Sequence, residues 1–367
     1  MNKLQKLPTS LYRLNYCFLL LLILPLLMLE GCGNTKQDSI YGLSFSNDNK
    51  QIIFHRSKGN GRSRLHVYNL DTNKLGAYES PSYEEWIMPE YSHDGRHIVF
   101  VAVPHDGKNA YLKGMQIAIM DIDGKNMRRL TNTPDAKVYP SFSPSDKKVI
   151  FIRAGTIRKS GKTPAADYDL YEIDRATGKE TRLTWFEFFL ISAPYYFPDD
   201  KTFIFAAEHP KKLPGMPDDP DVIAKKRKEY KLGYKQNRIF VMQKGEKSLR
   251  PYIQLNDNSS GPLLSAKGEI FFRAQAYKPD GSGDFIQYFQ YSPNGKHRRI
   301  TDLKATYIDS AAISPNGKYL AVSYRVSSDL KTSKLIIYRI DDKNKREIML
   351  PDQPSWIVNL KQEGKYR

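Results

Sequence analysis

One short hairpin pattern recurs six times along the chain and restricts the folds open to it. Its clearest copy, DSAAISPNGKYLAVSYR from Asp309 to Arg325, is an apolar strand, a Ser-Pro-Asn-Gly-Lys turn and a second apolar strand. Intervals of 46, 51, 54, 68 and 49 residues separate one position of the turn from its next copy. That position is occupied by Ser46, Ser92, Ser143, Phe197, Ser265 and Ser314. A period of about fifty residues with tight hairpins predicts a radial array of antiparallel sheets.

Each hairpin is followed by patterns for a third and a fourth strand. QIAIMDID (Gln116 to Asp123) and RRLT (Arg128 to Thr131) are one such pair, and the turn Asp123-Gly124-Lys125 supplies the positive φ that a tight hairpin needs. Every repeat therefore predicts a four-stranded meander, the unit of a propeller blade. We predict an all-β fold, a six-bladed β-propeller of four-stranded antiparallel blades over residues 41–367.

The combined pattern resembles the TolB-type β-propeller repeat. It consists of an aromatic-Ser-Pro-Asp/Asn-Gly-Lys hairpin, a third strand ending in Asp-x-Asp-Gly and a fourth strand Arg-x-Leu-Thr, and it extends from Tyr41 to Leu350. The resemblance implies the fold more than the function, because such repeats occur in envelope proteins, peptidase propellers and some sugar lyases. In TolB an α/β domain precedes the propeller, whereas about eight residues separate Cys32 from the first repeat here.

Residues 1–31 are typical of a secretory signal peptide. Basic residues precede an apolar run from Phe18 to Leu29 that is shorter than an ordinary membrane span. Leu29-Glu30-Gly31-Cys32 resembles the bacterial lipobox, although Glu30 departs from it, and predicts lipidation at Cys32 followed by a short tether over 32–40. The alternative is an ordinary signal peptide cleaved near Gly31.

The resemblance to lipoprotein sorting implies export to the outer membrane, facing the periplasm, because Gly33 rather than Asp follows the lipidated cysteine. Cys17 and Cys32 are the only cysteines, so the processed chain has none for an internal disulfide. The fold must therefore be stable without covalent cross-links.

Two segments depart from the repeat. Residues 208–238 form an insertion in the fourth repeat, predicted to be a proline-rich loop and a short basic helix that is either a solvated arm or a docking element for a partner. Its candidate partner-binding residues are Lys225, Lys226, Arg227, Lys228 and Lys231. Residues 351–367 are either a closing strand that pairs with the first blade or a partial seventh repeat.

Charge suggests the class of partner. The formal net charge of +17 falls to +15 when the predicted leader is removed. Loops between second and third strands are mainly basic, whereas the segments that cross between repeats are acidic and include Glu84 and Glu85, further candidates for partner binding. A basic exported protein suits anionic lipid, lipopolysaccharide or polysaccharide, and the leader disfavours nucleic acid.

Catalytic signals are weak. The sequence has no Gly-x-Ser-x-Gly elbow, phosphate loop, His-Glu-x-x-His motif or paired-cysteine metal spacing. His55, His105 and His209 lie at the ends of predicted second strands, which gives a weak alternative site of the metal or sugar type found in lyase propellers acting on oligouronates. Unrelated surface histidines are the other interpretation.

These observations predict a monomeric, non-enzymatic binding or scaffold propeller of the cell envelope, without a cofactor and with an envelope protein as its partner. The alternatives are a carbohydrate-active propeller and the partner propeller of a separate peptidase.

Overall fold

The computed structural model describes residues 38–59, 62–105, 112–157, 165–210, 237–249, 251–253, 259–277, 283–292 and 294–359. These ranges consist of strands and turns and contain no helix, so the all-β prediction is confirmed. No helix within them is available to cross a membrane. The predictions for the leader, for Cys32 and for the basic arm from Lys225 to Lys231 fall outside the described residues.

Antiparallel meanders make up almost the whole of the described chain. Meander 1 contains β1 (Asp38–Phe45), β2 (Gln51–Lys58), β3 (Arg64–Asn69) and β4 (Leu75–Glu79). Meander 2 contains β5 (Glu84–Tyr91), β6 (His97–Pro104), β7 (Gln116–Asp121) and β8 (Arg128–Arg129). Meander 3 contains β9 (Lys137–Phe142), β10 (Lys148–Ile157), β11 (Ala165–Asp174) and β12 (Glu180–Arg182).

The second half of the chain repeats this order. Meander 4 contains β13 (Phe188–Tyr196), β14 (Thr202–Pro210) and β15 (Arg238–Gln243), and a single bridge from Phe240 to Pro251 follows. Meander 5 contains β16 (Ser259–Leu264), β17 (Ile270–Tyr277), β18 (Gly283–Tyr291) and β19 (His297–Arg299). Meander 6 contains β20 (Tyr307–Ile313), β21 (Tyr319–Val326), β22 (Asp329–Arg339) and β23 (Lys345–Ile348).

The last strand returns to the start of the fold. β24 (Trp356–Asn359) pairs in parallel with β4, the fourth strand of meander 1. Part of the predicted closing segment 351–367 therefore adds a fifth strand to meander 1. This pairing ties the C-terminal part of the described chain to its first meander.

Hydrophobic clusters join each meander to the next one. Successive residues of a strand point to opposite faces of its sheet, so in β2 Ile53 packs in a cluster with Phe100 of meander 2, while Phe54 packs in a cluster with Leu335 of meander 6. Other clusters join meanders 2, 3 and 4, meanders 4 and 5, and meanders 5 and 6. Both faces of the second strands are thus buried, which explains their continuous apolar sequences.

The repeated hairpin turns also contact one another from meander to meander. The Asn316 amide N–H of meander 6 donates to Asn49 Oδ1 of meander 1 at 3.1 Å, and Ser145 Oγ of meander 3 donates to Asp200 Oδ2 of meander 4 at 2.9 Å. Close approaches at the remaining junctions join Asn47 to Gly95, Asp146 to His93, Pro198 to Gly268, and Glu269 to Gly317. The turns therefore lie together on one side of the fold.

The recurring serine stabilises the turn in which it lies. Ser92 Oγ accepts the His97 amide N–H at 2.9 Å and donates to Asp94 Oδ1 at 2.6 Å. Ser46 and Ser314 make the equivalent pairs of contacts in meanders 1 and 6. In meander 4, where Phe197 replaces the serine, the Asp199 carboxylate accepts the Thr202 amide N–H instead.

Candidate functional site

The first strand of every meander is interrupted by a β-bulge. In meanders 1 to 5 the bulge contains a residue with positive φ, and in meanders 2 to 5 a proline follows that residue. The positive-φ residues are Gly42, Met88, Tyr139, Ala193 and Gly261. In meander 6 Asp309 occupies the bulge. Bulges bend a strand and re-aim its side chains. Some of these positive-φ residues are not glycine, for example Met88 at 52°, and backbone strain of this kind is concentrated at functional sites in many proteins.

The six bulged segments line one cavity of about 220 Å³, which we call the axial cavity. Side chains that lie three or more residues beyond the start of second strands complete its wall: His55, Arg273 and Arg325, together with His105 just after β6. Because a second strand runs away from the hairpin turn, the cavity lies on the side opposite the six turns. This is the side on which the segments that cross between repeats lie.

An acid and an arginine close the wall between meanders 6 and 1. Asp309 Oδ2 accepts Arg325 Nε at 2.8 Å and Ser333 Oγ at 2.7 Å. Burial raises the pKa of Asp309, while the Arg325 charge acts in the opposite direction. Arg325 also donates to the Tyr41 hydroxyl, and the Tyr41 ring stacks on His55 with centroids 5.5 Å apart. These contacts hold the first bulge against meander 6.

His55 is a buried, neutral histidine. Its Nδ1 accepts the Met88 amide N–H at 3.1 Å, which joins β2 to the bulge of meander 2. Burial lowers its pKa to about 3, and the charge of His66 acts in the same direction. Its ring therefore stays uncharged near pH 7 and positions backbone at the cavity wall.

His105 and Glu85 form a second buried pair, with Nε2 and Oε1 3.2 Å apart. Burial raises the pKa of Glu85, and the neighbouring His105 opposes that effect. The adjacent Glu84 points away from the cavity, is 2% exposed, accepts Trp86 Nε1 at 3.1 Å and pairs with Arg129. Of the two acidic candidates, Glu85 lines the cavity and Glu84 lies in the protein interior.

Two of the three histidines singled out from the sequence, His55 and His105, line the same cavity. The side chain of His209, in β14, lies outside the description. Among the side chains that are described, no group of three or more His, Cys, Asp or Glu is arranged to hold a metal ion.

Four further residues line the axial cavity, and none of them was identified as a site residue from the sequence: Glu90, Tyr139, Tyr195 and Tyr288. Glu90 Oε1 accepts Ser141 Oγ at 2.9 Å and the Phe142 amide N–H at 2.8 Å. Burial raises the pKa of Glu90 to about 7, although these hydrogen bonds oppose the shift. Burial likewise raises the pKa of Tyr139 and of Tyr288 to about 12.

The sequence does contain a signal for these residues. Glu90, Ser141 and Tyr195 each lie two positions before the recurring turn position and directly after a proline. A repeated proline within a strand pattern marks a bulge, and the residues beside it in the second to fifth copies would have identified part of the cavity wall.

Comparison with known proteins gives the class of the fold. No family model and no curated protein sequence matches the chain. Solved structures do match. TolB from Acinetobacter baumannii has a TM-score of 0.57 at 18% identity, covering 96% of this chain and 73% of TolB. An oligogalacturonate lyase in complex with manganese has a TM-score of 0.54 at 14% identity, covering 87% of this chain and 79% of the lyase.

A TolB protein from Agrobacterium tumefaciens has a TM-score of 0.52 at 16% identity, covering 76% of this chain and 87% of that protein. The molecule is thus an all-β protein of the β-propeller class. Within that class its fold is TolB-like, as the repeat predicts. The same architecture is shared by the lyase, so the fold alone leaves the activity open.

Proposed function

We propose that this protein is a non-enzymatic binding propeller of the bacterial cell envelope, which contacts a partner protein on the side where the axial cavity lies. The six meanders are the blades of a closed ring. Hydrophobic clusters and turn-to-turn contacts at the junction of meanders 6 and 1, of the same kind as at the other junctions, support this closure.

The axial cavity is the observation that carries the proposal. All six meanders contribute to it, so it is a property of the whole ring rather than of one repeat. Concave sites with a few convergent polar groups in a mostly apolar wall are where proteins bind ligands. His55 is already engaged in a contact between meanders 1 and 2, and Asp309 in an ion pair within meander 6, which favours a rigid binding surface over a set of free catalytic groups.

The leader and the lipobox-like cysteine support an envelope location, with Cys32 as the anchor to the outer membrane. The segment predicted to be a basic arm, with Lys225, Lys226, Arg227, Lys228 and Lys231, adds a cluster of positive charge. It is a second contact surface for the partner or for anionic lipid.

Crosslinking in intact cells tests the proposal. A photoreactive amino acid at Ser57, which lines the cavity, should capture a specific envelope protein, and deletion of 224–235 should weaken that capture. The matched control is the same group at Asp123, an exposed turn residue on the opposite side. Equal capture from both positions, or none from Ser57, would reject binding at this side. Identification of the captured protein would also reveal a partner peptidase.

A carbohydrate-active propeller is the second candidate. His55 and His105 share the cavity with Arg273 and Arg325, and a lyase acting on an acidic sugar has a similar fold. Incubation of the protein with trigalacturonate and Mn²⁺ should then release unsaturated products absorbing in the ultraviolet, and His105→Ala should abolish the release. No release by the intact protein would eliminate this candidate.

A further inference from the structure

The second strands of meanders 1, 3, 5 and 6 each contain an arginine, and Arg273 of meander 5 differs from the other three. Arg56, Arg153 and Arg325 each pair with an aspartate, at 2.5, 2.7 and 2.8 Å. Arg273 Nε donates to Ser260 Oγ at 2.9 Å, and its Nη1 donates to the Ile308 carbonyl at 2.8 Å. Within the described ranges no carboxylate lies within ion-pair distance of Arg273, whose charge reaches Asp309 only from farther away, and its Nη2 donates to no protein acceptor.

Tyrosine hydroxyls lie on one side of this guanidinium: those of Tyr139 and Tyr288 lie within reach of its charge, and that of Tyr195 interacts with those two. Tyr288 Oη and Arg273 Nε both border the empty position next to Gly261, at 3.2 and 3.3 Å from where a Cβ would lie. The Arg273 charge also acts on the pKa of Tyr139 and of Tyr288. In the part of the chain that is described, the hydroxyls of Tyr139, Tyr195 and Tyr288 hydrogen-bond to no protein group. The cavity therefore contains a group of donors that lack an acceptor.

The acidic groups of the cavity are already occupied. Asp309 is paired with Arg325, and Glu90 accepts two hydrogen bonds from meander 3. A planar guanidinium beside hydroxyl donors matches the two oxygens of a carboxylate, and charge-assisted hydrogen bonds of this kind are the stronger ones. An incoming carboxylate would thus supply the acceptor that Arg273 lacks.

We propose that Arg273, with the hydroxyls of Tyr139, Tyr195 and Tyr288, forms a subsite for a carboxylate carried by a segment of the partner protein. This inference rests on the proposed binding function. We favour a protein segment over a sugar because the cavity wall contains Met88, Pro89, Pro140, Pro194 and Leu263, against which the aliphatic side chains of a peptide would pack. The serines of the wall, such as Ser192 and Ser310, could hydrogen-bond either ligand. The carboxylate is either a C-terminus or an acidic side chain.

Titration with short peptides tests the subsite directly. The mature chain is titrated by calorimetry with acetyl-Ala-Leu-Ala bearing a free carboxylate, with its carboxamide, with acetyl-Ala-Asp-Ala carboxamide and with trigalacturonate. We expect one peptide carboxylate to bind about tenfold more tightly than the uncharged peptide. Tighter binding of acetyl-Ala-Leu-Ala than of the Asp peptide would indicate that the partner's carboxylate is a C-terminus. Tighter binding of the Asp peptide would indicate an acidic side chain. Equal binding of the uncharged peptide, no peptide binding, or tighter binding of trigalacturonate would overturn the proposal.

Variants locate the interaction. Arg273→Gln should remove the preference for the carboxylate, about tenfold in affinity, while Arg339→Gln, an exposed arginine on the third strand of meander 6, should leave it unchanged. Because Arg273 also bridges meanders 5 and 6, Tyr288→Phe provides a second variant that removes one hydroxyl and keeps the ring. It should weaken carboxylate binding about threefold. Retention of full carboxylate preference in both variants would overturn the assignment.

The two proposals fail separately. Peptide binding that depends on Arg273, combined with no partner captured at Ser57, would reject the protein partner and keep the subsite. Capture at Ser57 without any carboxylate preference would keep the partner and reject the subsite.

Discussion

Gly76 and Trp356 lie opposite each other in the parallel pairing of β4 with β24, and the indole occupies the space that a side chain at residue 76 would need. A Cβ placed on Gly76 would overlap the six-membered ring of Trp356. The same indole lies edge-on to Tyr78, with centroids 6.3 Å apart. The absence of a side chain at Gly76 is therefore what admits the last strand to meander 1.

Gly76→Ala should displace β24 and destabilise the protein by about 1–3 kcal/mol, the usual cost of overpacking. Chemical denaturation measures the change in the free energy of unfolding. In a chain truncated after Pro354 the same substitution should be neutral or slightly stabilising, because alanine is favoured over glycine within a strand. An equal loss in the full and truncated chains would show that the effect does not act through Trp356.

Ser92→Ala tests the role of the recurring serine. The substitution leaves the His97 amide N–H and the Asp94 carboxylate without their partner inside a turn where Ser92 is 2% exposed. We expect a loss of about 1–2 kcal/mol in the free energy of unfolding. Ser82→Ala, at an exposed serine between meanders 1 and 2, should change it by less than about 0.5 kcal/mol. Similar losses for both would argue against turn capping.

The contact between the turns of meanders 2 and 3 should depend on pH. Asp146 accepts the amide N–H groups of His93 and Asp94 and the His93 ring, the last at 3.0 Å. Burial is the largest single influence and would raise the pKa of Asp146 and lower that of His93. The hydrogen bond between them, the backbone N–H groups that donate to Asp146 and the neighbouring charges together outweigh burial, so the Asp146 pKa is lowered and the His93 pKa is raised.

The carboxylate therefore stabilises the fold above its unfolded pKa of about 4, and the protonated imidazole does so below its unfolded pKa of about 6.5. The pair contributes most between those values. Asp146→Asn should cost more stability at pH 5.5 than at pH 8, as measured by denaturation at each pH. His93→Gln should remove most of this difference, and a cost that is independent of pH would contradict the assignment.

The sequence is sufficient for the architecture because turn chemistry and strand patterning are local. Ser92, Asp94 and Gly95 encode one turn, and repetition of that turn predicts the meanders. The cavity wall is harder to predict, since a bulge resets the alternation on which side-chain direction depends. Within the regular part of β5, successive side chains point to opposite faces of the strand. This alternation does distinguish Glu84, which is buried in the protein interior, from Glu85, which lines the cavity. Whether Arg273 has a carboxylate within ion-pair distance depends on which residues of neighbouring meanders meet in the folded protein. Local sequence patterns do not give those contacts.

Glu90 should make the axial cavity sensitive to pH near neutrality. Its neighbours are Ser141 and the Phe142 amide N–H, which donate to it, and the charges of His93, which lowers its pKa, and of Asp146, which raises it. Burial dominates and raises the pKa of Glu90 to about 7 from an ordinary value of 4.5. Between pH 4.5 and about pH 7 the Glu90 carboxyl is therefore protonated in the folded state and ionised in the unfolded state.

Stability from this group is fully present below pH 4.5 and is lost as the pH rises through about 7. Glu90→Gln keeps the acceptor oxygen and cannot ionise, so it should raise the free energy of unfolding relative to the wild type by about 1–2 kcal/mol at pH 8 and by almost nothing at pH 4.5. Denaturation at both values measures the difference, and carbon-13 NMR of the Glu90 carboxyl measures its pKa directly. A titration midpoint near 4.5, or a variant less stable than the wild type at pH 8, would show that the carboxyl is well solvated in the cavity.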